Sequence, residues 1–193
     1  MKSDGDWLNR WLPELENKIV LELGCGEGMD TAILADYSAI LIACDLNPRF
    51  KGIVHPNTVV VDHSKPLPFK TAQFDVVVAS LCLHYFNWQV TEGAVNEISR
   101  VLKRSGLLIC RLNSTNDVNY GAYGYPEIDT HFYNVNGVPK RFFDLSDITR
   151  LFSDNWQIMD LKEQSIDRYD KEKLVWEVGA VLCSSAIDRN WGG

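Results

Sequence analysis

The sequence predicts an α/β domain built on a parallel sheet. Two observations carry this: a series of short apolar runs rich in Val, Ile and Leu does not alternate with polar residues, and helical or loop segments separate the runs. A strand covered by helices on both faces reads this way, because it has no wet side. With 193 residues, the chain 1–193 is expected to be one domain with a substantial core.

Taken in order, residues 1–18 are expected to hold an N-terminal helix. Trp7, Leu8, Trp11, Leu12 and Leu15 recur at helical spacing, Asp6 is placed to cap them, and Pro13 disturbs the pattern. Strands are expected at 19–23, 39–44, 58–61, 74–79 and 107–112. Between the last two, Val90, Ala94, Ile98 and Val101, flanked by Val95 and Leu102, make one apolar helical face. Lys103 and Arg104 suit the negative end of that helix, and Ser105-Gly106 supplies a stop. A second helix is read at 144–152, where Leu145, Ile148 and Leu151 share a face. Strands at 156–161 and 174–183, joined by a charged segment, suggest an antiparallel hairpin at one edge of the sheet. Residues 113–143 show no periodicity, and an irregular stretch that long is expected to be a loop covering the site and supplying specificity.

Composition narrows the function. A net charge of −7 disfavours broad binding to a phosphate backbone, so nucleic acid is an unlikely partner. No apolar run approaches the ~20 residues of a bilayer span, and the acidic first residues lack a signal-peptide core, so no membrane partner and a cytoplasmic location are expected. Cys25, Cys44, Cys82, Cys110 and Cys183 include no C-x-x-C pair and suit free thiols better than disulfides or a zinc site.

Chemistry gathers at the carboxyl ends of the strands. The first run ends in Glu22-Leu23-Gly24-Cys25-Gly26-Glu27-Gly28, the second at Asp45, the third at Asp62 and the fourth at Ser80. The steps of 21, 17 and 18 residues from Gly24 to Asp45, Asp62 and Ser80 are one β-α unit each. Ligands of open parallel sheets bind at that edge, where the strand order reverses. Glycines 24, 26 and 28 let the chain turn sharply and expose backbone N–H groups to a ligand. A dinucleotide fingerprint wants its third glycine at 29, where this chain has Met29, which weakens a nicotinamide reading. Asp45 is placed to accept from both hydroxyls of a ribose, and Asp62 from an exocyclic amine, with 66–69 as an apolar flank. Glu22, inside an apolar strand, needs a partner: loop N–H groups or a cationic ligand group. Each acid taken singly is equally a cap or turn residue. The ordered set points to a nucleoside.

These residues resemble the successive motifs of class I S-adenosylmethionine-dependent methyltransferases. The stretches that carry the likeness are 20–28, Ala43-Cys44-Asp45-Leu46-Asn47-Pro48, Val61-Asp62, 74–80 and 102–108. The resemblance implies a doubly wound, seven-stranded, mostly parallel sheet with the last strand antiparallel, and S-adenosylmethionine as cofactor without a metal. It implies that Gly24 to Gly28 hold the methionine part, and Glu22 and Cys25 also count among the expected cofactor-binding residues. Asp45 with Leu46 would hold the ribose, Asp62 the adenine with His63 beside it, and Ser80 to Leu83 the floor. The short N-terminus and the aromatics after the fifth strand are similar to small-molecule members such as tellurite-resistance and thiopurine methyltransferases. No N-P-P-Y or D-P-P-Y follows the fourth strand.

The reaction expected is in-line methyl transfer to a small molecule. The rivals are methylation of RNA or protein, cofactor sensing without catalysis, and a nicotinamide-dependent oxidoreductase. His84 and Tyr85 are the candidates for general base or substrate orientation, or else pack beneath the following helix; His131 is a second candidate and His55 a poor one. Asn113, Tyr120, Tyr133 and Arg141 are candidate substrate contacts, with Lys140-Arg141 either meeting an anionic group or lying in solvent. Tyr169-Asp-Lys-Glu-Lys173 mimics a dehydrogenase Y-x-x-x-K pattern but reads as a solvated turn. The chain is expected to be a monomer or homodimer.

Overall fold

The computed structural model describes residues 4–49 and 57–183, the side chains from Trp7 onward in the first of these. His55 and the cap expected of Asp6 lie outside that description. A 3₁₀ stretch, Asp4–Trp11, runs into α1 (Leu12–Leu15), with Pro13 in the first turn, where no amide donor is needed. The expected single helix is therefore two short pieces. They are followed by β1 (Ile19–Leu23), α2 (Met29–Tyr37), β2 (Ile40–Asp45), β3 (Thr58–Val60), β4 (Phe74–Ser80), a 3₁₀ turn at Leu83–Tyr85, α3 (Trp88–Val101) and β5 (Leu102–Asn113). The second half holds β6 (Glu127–Asp129), β7 (Phe132–Val135), β8 (Val138–Arg141), α4 (Leu145–Leu151), β9 (Trp156–Ile166) and β10 (Lys173–Leu182).

Seven strands form one sheet in the order β3-β2-β1-β4-β5-β10-β9, and β6-β7-β8 form a separate antiparallel sheet. The pairs β1–β2, β2–β3, β1–β4 and β4–β5 are parallel, whereas β10 is antiparallel to both β5 and β9. The expected late hairpin is present, with β9 at the edge and β10 inside it. Because β10 reverses twice, β9 runs parallel to β5, and the β9–β10 turn lies on the same edge as the ends of β1 to β5. Chain order moves outward from β1 to β3 and then crosses back to β4, so β1 and β4 flank the switch point.

The core has two layers, as both-face burial requires. On one face Leu21, Leu23, Val77, Ala79, Leu108 and Cys110 pack with Ile98 and Val101 of α3 and Ile148 of α4. On the other, Val20, Val76, Val78 and Ile109 pack with Leu34 of α2 and with Trp7, Leu8 and Leu15. Each fully buried Leu or Val contributes ~1.5–3 kcal/mol, so losing either layer would unfold the sheet. The N-terminal piece is held by more than apolar contact. Trp11 covers Gly179 of β10 so closely that a Cβ there would meet the indole at 2.2 Å, and Arg10 Nη2 pairs with Asp160 and Glu177 at 2.6 and 3.1 Å.

Three expectations need correction. Helix α3 stops at Val101 because Leu102 is already extended, so Ser105-Gly106 is not its stop; Lys103 instead pairs with Asp75 at 2.8 Å from within β5. Residues 113–143 are not a structureless loop, since β6, β7 and β8 occupy most of the second half. Their best signal is Asn136-Gly137 between Val135 and Val138. Both turn residues have positive φ, 53° and 86°, as a tight hairpin turn demands. Finally, that sheet does not wall the cavity described next. Arg141 is buried between the rings of Trp88 and Phe132 and donates to the carbonyls of Phe86 and Thr130, which clamps β8 onto the β4–α3 junction.

Candidate active site

A cavity of about 420 Å³ opens at the switch point, among the carboxyl ends of β1, β2 and β4 and the turn after β3. Its rear is the glycine turn. Gly24 sits at φ +71°, and a Cβ on it would lie 2.3 Å from Cys82 Cβ, so only glycine lets β1 pass this close to the end of β4. Gly26 differs: at φ +51°, its missing Cβ would meet nothing within 4 Å. There the backbone itself faces the cavity, the arrangement needed for a ligand to lie against the main chain. The turn is then fixed by Gly28 N–H donating to the Cys25 carbonyl at 2.8 Å and by Cys25 N–H donating to the Cys44 carbonyl at 2.9 Å.

Asp45 ties this turn to the next strand. One carboxylate oxygen accepts from Gly26 N–H at 2.9 Å and the other from Asn47 N–H at 2.8 Å. Each oxygen keeps lone-pair capacity for a second donor, so the group is oriented yet able to take two ligand hydroxyls. Asp62 is held similarly: the Ser64 hydroxyl and N–H bond one oxygen at 2.5 and 3.1 Å, and Lys65 pairs with the other at 3.2 Å. The Ser64 hydrogen bonds, then its other contacts, hold its pKa below the usual carboxylate range. His63 Nε2 meets the Cys82 carbonyl at 3.0 Å, and its ring stands edge-on to Phe86. Ser80 Oγ accepts from Arg111 Nε at 2.9 Å, and Arg111 lies 4.4 Å from the Trp7 ring. Trp7 in turn donates to Asp30 at 3.0 Å, so the N-terminal segment braces the cavity floor.

Of the residues expected to bind cofactor, Gly24, Gly26, Asp45, Leu46, Asp62, His63 and Ser80 line this cavity. Cys25 and Gly28 shape the turn from behind without lining it. Glu22 is also one layer back, where its carboxyl accepts from the Thr31 hydroxyl at 2.6 Å. Burial pushes its carboxyl up to about 8, against the Thr31 hydrogen bond, which pulls it down. Among the described substrate and catalytic candidates, Tyr85 alone lines the cavity.

The remaining candidates are corrections. His84 is buried, its Nδ1 has no hydrogen-bond partner among the described residues, and its ring packs 4.2 Å from that of Tyr85. Burial first, and then Lys173 and Lys140, hold its pKa well below the ordinary imidazole value. Asn113 is fully buried and donates to the Arg141 carbonyl, while Tyr133 packs on Phe142. Tyr120 stands behind Tyr169, and its hydroxyl is spent on the Lys171 backbone. His131 is engaged by Asp147 at 2.7 Å, beside the Asp144–Asp147 capping box that starts α4. These three residues bring ligand atoms within 4.8 Å of one another, but the cap and that contact already use them.

The sequence reading missed Asn47, Phe86, Arg168 and Tyr169, all of which line the cavity. The last two sit in the charged β9–β10 turn taken for a solvated one. Topology held the signal: a strand parallel to β5 must end at the ligand edge. All five cysteines are free, as expected, and burial pushes Cys25 and Cys44 up to about 12, leaving inert thiols under the cavity. No helix among the described residues is long and apolar enough to cross a membrane.

Residues 21–110 match the family model described as a methyltransferase domain. Over that stretch, just under half of the chain, the sequence is similar to S-adenosylmethionine-dependent methyltransferases. It is 35% identical over 128 residues to a malonyl-[acyl-carrier protein] O-methyltransferase of Herminiimonas arsenicoxydans, covering 64% of this chain and 48% of that protein. The chain spans about half the length of the curated relatives it matches. Among solved structures, an S-adenosylmethionine-dependent methyltransferase of Mesorhizobium loti aligns with a TM-score of 0.71 at 19% identity, over 92% of this chain and 97% of that one. The 1,6-didemethyltoxoflavin-N1-methyltransferase of Burkholderia thailandensis aligns with a TM-score of 0.69 at 18% identity, over 94% and 77%. At these identities the structural matches speak for the fold.

Proposed function

We propose that this chain transfers a methyl group from S-adenosylmethionine to a small-molecule acceptor. The observation that carries the reading is Asp45, oriented by Gly26 and Asn47 at the switch point, with Gly26 backbone open to the cavity on one side and Asp62 on the other. That donor and acceptor set fits a nucleoside whose amino-acid tail lies along the glycine turn: ribose on Asp45 and adenine towards Asp62 and His63. When bound, the cofactor supplies an activated methyl on a positively charged sulfur.

The chain's residues then have to orient the acceptor and exclude water. Leu81, Cys82, Tyr85, Phe86 and Tyr169 give the cavity a largely apolar and aromatic wall, suited to both tasks. His84 is a poor proton acceptor at neutral pH and does not reach the cavity, and burial raises the Tyr85 phenol above its ordinary value. The proposed mechanism is therefore positioning without a base from either residue, and the acceptor arrives with a free lone pair. A small-molecule acceptor is in keeping with a relative named demethylmenaquinone methyltransferase, and with the acidic net charge of −7.

The test is to incubate the protein with methyl-labelled S-adenosylmethionine and a cell extract, then separate small molecules from RNA and protein. The reading expects label in the small-molecule fraction. Label confined to a nuclease- or protease-sensitive fraction would overturn the small-molecule part.

A further inference from the structure

Two half-exposed aromatic rings on rigid supports stand in the wall of this cavity. Tyr85 and Tyr169 both line it and keep 45% and 42% of their surface exposed. Neither ring is loose. Tyr85 is backed by the buried His84 ring at 4.2 Å, in the 3₁₀ turn that closes β4. Tyr169 is backed by the Tyr120 ring at 5.2 Å and by the Lys173 ammonium, 5.8 Å from its centroid.

The support under Tyr169 is itself pinned at several points. Lys173 Nζ pairs with the buried Asp117 at 2.9 Å, Asn119 donates to the Glu172 carbonyl at 2.8 Å, and the Tyr120 hydroxyl both accepts from and donates to the Lys171 backbone. Segment 117–120 and the β9–β10 turn therefore behave as one body, with Tyr169 as its face on the cavity. Holding the two rings out, half wet, leaves apolar area that a ligand can cover at ~25 cal/mol per Å².

We propose that Tyr85 and Tyr169 form an acceptor-selecting clamp whose ligand is a flat, conjugated small molecule. The inference rests on the reading of the cavity as an S-adenosylmethionine site, and it names the acceptor class of that site. Two ring walls favour a planar π system over a puckered saturated one of the same size through ring–ring contacts beyond area burial. Saturated acceptors of equal bulk lose those contacts and present axial hydrogens to both walls.

The experiment uses the full chain. Binding of S-adenosylhomocysteine is measured first. On the saturated complex, the affinities of 2-naphthol and of its fully saturated counterpart, decahydro-2-naphthol, are then compared for wild type, Tyr85→Leu, Tyr169→Leu and Tyr169→Phe. The clamp predicts about a tenfold preference for the planar probe in wild type. It predicts that the preference survives in Tyr169→Phe, which keeps the ring, and falls towards parity in each leucine variant. Equal affinity in wild type, no binding of either probe, or an unchanged preference in both leucine variants would overturn it. Failure of S-adenosylhomocysteine to bind would instead bring down the cofactor reading, and the clamp with it, so the two failures are told apart at the first step.

Discussion

Glu22 gives the sharpest quantitative handle on the site. Its carboxyl is 3% exposed inside β1, bonded to Thr31, and burial pushes its pKa from 4.5 up to about 8. A carboxyl that binds its proton more tightly folded than unfolded contributes stability that is complete below pH 4.5 and is lost as pH rises towards 8. At ~1.36 kcal/mol per pH unit, the interval from about pH 5.5 to 8 should cost roughly 3 kcal/mol. Glu22→Gln keeps the size and the hydrogen bond to Thr31 but has no proton to lose. Urea denaturation of both proteins across that interval should show the wild type losing about 3 kcal/mol more than the variant. His84, whose folded pKa is depressed, loses its contribution in the opposite direction as pH falls, and does so equally in both proteins. Parallel stability curves for the two proteins would refute the assignment of a neutral carboxyl beneath the glycine turn.

Three further outcomes are expected. Gly24→Ala, which places a Cβ 2.3 Å from Cys82 at φ +71°, should cost about 2 kcal/mol or more by thermal or urea unfolding and abolish nucleoside binding. Gly179→Ala drives a Cβ into the Trp11 ring at 2.2 Å and should destabilise by ~1–3 kcal/mol, a loss that Trp11→Ala relieves in a double-mutant cycle if that contact is the cause. His84→Gln should leave the pH profile of methyl transfer unchanged and activity within about tenfold. A loss of ~10²–10⁴ would restore the general base to that position.

The parallel part of the fold was legible because its strands are buried on both faces and so appear as unbroken apolar runs. The antiparallel end was harder to read. In β10, Glu177 alternates with Trp176 and Val178 as a solvent-facing residue would, yet it is 1% exposed. The cover is Arg10 and Trp11 from the far end of the chain, which no local pattern announces. Strands β6 to β8 escaped for a related reason: they are short, β6 is exposed throughout, and β8 carries Pro139. Asn136-Gly137 was the one strong cue. At the site, residues fixed by the glycine turn and by strand ends were readable from spacing, because β-α periodicity puts them on one edge. Arg168 and Tyr169 were not, since a run of charges looks solvated until topology turns β9 to face the same edge as β1. Asn113, Tyr133 and Arg141 show the converse error: polar and aromatic residues near a site serve to lock a second sheet in place.

The central claim is that the cavity between β1 and β4 takes S-adenosylmethionine. Calorimetric titration with S-adenosylmethionine, S-adenosylhomocysteine and NAD in parallel tests it most directly. The account predicts micromolar binding of the first two and none of NAD. Binding of NAD alone, or of none of the three by a folded protein, would contradict it.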